Sequence, residues 1–199
     1  MRKIIAMLVI SFLSVQCKDT TTLTAKEREF AITELNKSKD NLLKAIKDLN
    51  EAQFYFKVDE NTWSIAECVE HVTLFVDEVF EILDESLELP ANPDRRKDVK
   101  FSDNELLLFV QDRTTKSKTQ EEFQPNKTYE NPSETIDIFQ EKLEKHIAYL
   151  ENTKDDLRNH YVNFGTVDAY QIFLYMAAHT NRHIAQIEEI KKNKHFSKN

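Results

Sequence analysis

Ile172-Phe173-Leu174-Tyr175-Met176-Ala177-Ala178-His179-Thr180-Asn181-Arg182-His183-Ile184-Ala185-Gln186-Ile187-Glu188-Glu189-Ile190 contains neither Gly nor Pro and keeps one apolar face throughout. At 100° per residue, Ile172, Met176, His179, His183, Ile187 and Ile190 fall within an arc of roughly 80°. Two imidazoles therefore stand in the middle of an inward stripe, with apolar residues before and after them. Each neutral imidazole buried there needs a partner for one donor and one acceptor, and a shared divalent cation uses the lone pairs of both. The i, i+4 spacing is also that of helical zinc sites. The bland alternative is a chance pair of histidines on a packed helix face.

Working back along the chain, three more helices share this character. Thr24-Ala25-Lys26-Glu27 has the form of a capping box, and Ala31, Leu35, Leu42, Ala45, Ile46 and Leu49 follow at helical spacing to about Asn50. Ser64-Ile65-Ala66-Glu67 is a second capping box. It opens a helix to about Glu88 with Ile65, Val69, Val72, Val76, Val79 and Leu83 on one stripe. Pro132-Ser133 opens a third, with Ile136, Phe139, Leu143, Ile147 and Leu150 inward, and Gly165-Thr166 is the expected start of the fourth, which continues to about Lys192. Between the second and third, Pro90 to Lys100 reads as a connection, Asn104 to Arg113 as a short helix, and Thr114 to Asn131 as loop. The expected fold is all-α, a four-helix bundle with a long connection between helices 2 and 3. Connections of that length tend to be functional or mobile.

Composition agrees. The 199 residues suit one domain, and 40% apolar with 31% charged residues is a globular balance. The single glycine, Gly165, excludes Gly-rich phosphate loops and dinucleotide-binding fingerprints. A formal charge of −8, with Lys and Arg dispersed, argues against nucleic acid as a partner. Arg95-Arg96-Lys97 reads as a solvated loop.

Residues 1–16 differ from the rest. A basic Met1-Arg2-Lys3 precedes an apolar run from Ile4 to Leu13, the build of a signal peptide and too short for a permanent span. Cys17, followed by the polar Lys18-Asp19-Thr20-Thr21-Thr22, resembles the lipidation site of bacterial lipoproteins, although Gln16 replaces the small residue usual before that cysteine. The resemblance implies export, a membrane anchor through lipid on Cys17, a linker over 17–23 and a bundle domain over 24–199 in the cell envelope. Loss of Arg2 and Lys3 takes the formal charge from −8 to −10. Cys68 then remains as a lone thiol, expected to fill core space.

His71 lies one turn before Phe75, about 40° beyond the edge of the second helix's stripe, which suits a third ligand arriving from a neighbouring helix. Three protein ligands leave a coordination position open for water or substrate. Trp63-Ser64-Ile65-Ala66-Glu67-Cys68-Val69-Glu70-His71 resembles the W-S-x-x-E-x-x-x-H opening of the second helix in the DinB-like (DinB/YfiT) superfamily. His179-Thr180-Asn181-Arg182-His183-Ile184-Ala185-Gln186-Ile187 resembles that family's H-x-x-R-H-x-x-Q-I segment on the last helix. The resemblance, over about residues 25–192, implies a three-histidine metal site at His71, His179 and His183 holding one divalent ion. It is also compatible with a homodimer. Neutral nitrogen ligands suit zinc, nickel or iron.

By the same analogy the expected activity is metal-dependent transfer or hydrolysis on an unknown small molecule. The alternative is a non-catalytic envelope lipoprotein that binds metal or a ligand. Arg182 and Gln186 are candidates to orient ligands or meet an anion, with an ion pair as the plainer reading of Arg182. Glu67 reads as a cap and Glu70 as solvated face. His146 and His160 read as packing or surface residues, and His195 as a solvated tail residue.

Overall fold

The computed structural model describes residues 22–115, 118–162 and 167–196. The segment expected to be a signal peptide, Cys17 and the Gly165-Thr166 pair lie outside them.

Among the described residues six α-helices follow one another: α1 Ala25–Ile46, α2 Glu51–Phe54, α3 Ile65–Leu87, α4 Asp103–Gln111, α5 Pro132–Asn152 and α6 Ala169–Lys191. Short 3₁₀ turns at Pro93–Asp98 and Glu121–Phe123 interrupt the connection between α3 and α5. No described helix is long and apolar enough to cross a membrane. The fold is the expected helical one, built on four long helices, α1, α3, α5 and α6.

Local chemistry sets most helix starts. Thr24 and Ser64 each accept from the amide three residues on while Glu27 and Glu67 return the bond, so both expected capping boxes form. Ile65, Val69, Val72, Val76, Val79 and Leu83 are all buried, as is Cys68. Two boundaries differ from expectation. α1 stops at Ile46, and Asn50 caps the separate turn α2. α6 starts at Ala169, where Asp168 and Gln171 make a capping box of their own.

Contacts along the helices define their directions. Tyr170 donates to the Glu27 carbonyl near the starts of α1 and α6, and Lys191 donates to the Ala45 carbonyl near their ends, so these two run parallel. Thr73 reaches the Thr135 carbonyl, and Phe80 stacks on His146 at 4.1 Å between ring centroids, so α3 and α5 also run parallel. Arg28 reaches the Thr153 carbonyl, which sets α1 against α5 in opposite directions. The order is up-down-down-up. Parallel neighbours cannot be joined by a tight turn, because the chain must return the whole length of the bundle. Residues 88–131 make that return. On the way α4 packs against α6, burying Leu106, Leu107 and Val110 while Phe109 stays exposed beside Phe101.

At the end where α6 starts, Arg158 joins three elements. Its guanidinium binds Glu27 of α1, Asp103 of α4 and the fully buried Asp168, and lies 3.8 Å from the Tyr170 ring centroid. Arg96 also pairs with Asp168, so the Arg95-Arg96-Lys97 run, although exposed, is not simply a solvated loop. Burial still holds the Asp168 carboxyl above its usual range, against the pull of Arg158. Removing one partner of a buried pair leaves the other uncompensated. Arg158→Leu is therefore expected to lower the unfolding free energy by about 3–5 kcal/mol in urea denaturation. A loss below about 1 kcal/mol, the range of exposed pairs, would mean that Arg96 alone supports Asp168.

Candidate metal centre

The antiparallel contact of α3 and α6 brings together the three histidines singled out in the sequence. One ring nitrogen of each of His71, His179 and His183 lies within 4.8 Å of those of the other two. The ring centroids are 4.5 to 5.1 Å apart. His71 and His183 are buried and His179 half-buried. His71 thus stands further inward than a stripe-edge position suggests, because the connection covers it.

Partner chemistry fixes two of the rings. His71 Nδ1 is 2.7 Å from the Phe123 carbonyl oxygen, which only accepts, so Nδ1 carries the proton and Nε2 the lone pair. Arg113 donates to Gln186 Oε1, and that same oxygen lies 3.1 Å from His183 Nδ1. A guanidinium only donates, so the amide oxygen is correctly placed, and His183 too has its proton on Nδ1 and its lone pair on Nε2. His179 Nε2 meets His71 Nε2 at 2.9 Å. It does so either as a donor or, with its proton on Nδ1, as a second lone pair turned toward a shared cation. Carbonyl or carboxylate partners on the outer ring nitrogen are the usual support of metal-bound histidine. Three neutral nitrogen donors this close fit one divalent ion.

The surroundings keep the rings uncharged. Phe75 stacks on His179 at 4.0 Å, Tyr175 stacks against both Phe75 and His179, and Trp63 packs against both His71 and His183. Burial is the largest cause of a lowered pKa for all three. The Phe123 carbonyl opposes it at His71, while mutual repulsion among the rings adds to it at His179 and His183.

Other candidates fall elsewhere. His146 is buried against Phe80, which pushes it down to about 4, and it serves packing. His160 bridges the carbonyls of Asp156 and Leu89, and His195 is exposed. Arg182 donates to the carbonyls of Asp112 and Thr115, tying the chain after α4 to α6. The Thr114 amide and hydroxyl hold the Asp112 carboxyl below its usual range, and the Arg182 charge helps. Gln186 accepts from His183 Nδ1 and so orients that ring. Glu67 is a cap as expected, but Glu70 is not solvated face. It is buried and accepts from the amides of Asn126 and Thr128. Phe123, Arg113 and Glu70 are the participants that sequence reading missed. A backbone carbonyl has no residue signature, and Arg113 lies far along the chain from Gln186.

An up-down-down-up helical bundle with three histidines converging between its second and last long helices is the setting of the two sequence motifs. The sequence pattern of the DinB superfamily matches residues 34–187, which include both motifs. The chain belongs to the DinB superfamily. No curated protein and no solved structure matches it.

Because the folded rings resist protonation while unfolded histidine titrates near 6.5, the unfolded chain binds more protons below that pH. Stability without added metal is therefore expected to fall as pH drops below about 6.5. A His71/His179/His183 triple-alanine variant is expected to show a shallower decline in melting temperature over pH 7 to 5. Parallel slopes would mean that these rings do not carry the effect.

Proposed function

We propose that this chain is an exported, lipid-anchored metal-binding protein in which His71, His179 and His183 hold one divalent ion, zinc, nickel or iron, and that it acts on a small molecule by metal-dependent transfer or hydrolysis. The observation that supports the metal reading best is the direction of the outer ring protons. His71 and His183 both turn Nδ1–H outward to oxygen acceptors, so both lone pairs are left facing the cluster.

A divalent ion with an open coordination position supplies Lewis acidity toward a carbonyl or a thiol. The chain's own residues supply the rest. Phe123 and Gln186 orient two rings, and Trp63, Phe75 and Tyr175 surround the histidines with aromatic surface that excludes water. The nearest cationic groups are engaged, Arg113 with Glu189 and Gln186 and Arg182 with carbonyls. A small neutral or apolar molecule suits these surroundings better than a multiply charged one.

The second reading, a non-catalytic envelope lipoprotein that binds metal or a ligand, draws support from Glu70. The carboxylate adjacent to His71 in sequence is bound to backbone amides and so is not placed as a general base.

Elemental analysis of the full chain, purified without a His-tag, is expected to give about one ion per chain. That ion should be lost in His179→Ala and kept in His160→Ala; equal metal content in both would overturn the ligand set. Turnover of thiol–electrophile pairs or of an ester and amide panel, abolished by His183→Ala, separates the enzyme from the binding protein. Cys17→Ser is expected to move the protein from the membrane to the soluble fraction. Retention on membranes would refute the lipid anchor.

A further inference from the structure

We propose that Glu70 is a positioning residue of the histidine centre, acting through the connection between α3 and α5. This rests on the reading of His71 as a metal ligand. Successive residues on a helix point about 100° apart, so Glu70 and His71 address different neighbours from adjacent places on α3. One oxygen of the Glu70 carboxylate, Oε1, accepts from the amide of Asn126 at 3.1 Å and from that of Thr128 at 2.8 Å. The residue is 8% exposed, so these bonds lie largely out of competition with water.

The segment it grips touches the centre twice. The Phe123 carbonyl takes the Nδ1 proton of His71 at 2.7 Å, and the Phe123 ring packs on Phe75, which stacks on His179. Between the two gripped amides, Lys127 has φ 66, in the left-handed region that disfavours a side chain bearing Cβ. That conformation turns the flanking N–H groups toward one point, a concavity that suits an anion, and the Glu70 carboxylate occupies it. Without an acceptor there, the Lys127 backbone keeps, among the described residues, only the bond from the Thr128 hydroxyl to Asn126 across it, and the segment carrying the Phe123 carbonyl loses its one tie to α3 on the far side of that carbonyl. His71 would then be free to place its proton on Nε2, where no lone pair remains for an ion. Glu70 thus selects the ligand nitrogen of its neighbour without touching it.

The test compares Glu70→Ala and Glu70→Gln in the full chain, Gln keeping an acceptor oxygen at the same reach. Two readouts are taken: the zinc dissociation constant by chelator competition, and the His71 tautomer by ¹⁵N–¹H correlation in chelator-stripped protein. Helix content by circular dichroism checks that each variant folds. Glu70→Ala is expected to weaken zinc binding by about 10- to 100-fold, as loss of outer-sphere support does elsewhere, and to shift His71 from one tautomer to a mixture. Glu70→Gln is expected to restore most of both.

Unchanged affinity and tautomer in Glu70→Ala would overturn the proposal. So would equal losses in the two variants, since the acceptor oxygen would then not matter. If the unsubstituted chain binds no zinc, nickel or iron, the metal reading fails by itself, and the tautomer comparison still decides whether Glu70 positions His71. Should Glu70→Ala not fold, Glu70→Asp, which keeps the charge but draws the acceptor back by one methylene, carries the same comparison against Glu70→Gln.

Discussion

Three uncharged imidazoles packed among aromatic rings can persist only if the second nitrogen of each ring has somewhere to put its proton. That requirement ties distant parts of this molecule together. His71 meets it through the Phe123 carbonyl and His183 through Gln186, which Arg113 holds in turn. The acceptors come from the connection after α4 and from the last helix, so the cluster is stable only when the connection is wrapped onto the bundle. A solvated cluster would need none of this and would titrate like free histidine.

The helix order makes such wrapping unavoidable. Because α3 and α5 lie side by side and parallel, residues 88–131 must travel back along the bundle. The return path is held at several points. Asp168 takes Arg96, α4 buries Leu106, Leu107 and Val110, Arg182 binds the carbonyls after α4, and Glu70 binds the amides of Asn126 and Thr128. A topological necessity thereby becomes a wall of the histidine cluster. The two ends of the molecule are divided in chemistry as well: a guanidinium–carboxylate network around Arg158 at one, neutral donors and aromatic rings nearer the other.

Several features were legible in the sequence because their causes are local. Thr24, Ser64 and Pro132 announce helix starts through groups three or fewer residues away, and the Ile65-to-Leu83 stripe is buried as its periodicity requires. Glu70 and Arg96 were misjudged for the opposite reason. Glu70 finds its partners more than fifty residues on, and Arg96 finds Asp168 72 residues on, so the short-range rule that charged residues are solvated had nothing to correct it. The start of α6 was misplaced because Gly165 is a louder signal than Asp168, although the Asp168–Gln171 capping box is what holds Ala169 onward.

By itself the sequence determined the helical class, the apolar faces and the shared direction of His179 and His183, since helical geometry at 3.6 residues per turn converts spacing directly into direction; that His71 joins them was implied by the likeness of its motif to the DinB superfamily. Only the tertiary structure decided which nitrogen of His71 and of His183 is free to act, because that depends on acceptors placed by packing. The Phe123 carbonyl could belong to any residue, and Arg113, Gln186 and Glu70 gain their roles only where α4, α6 and the connection close on one another. Spacing along one helix carries no information about a partner fifty residues away; packing supplies it.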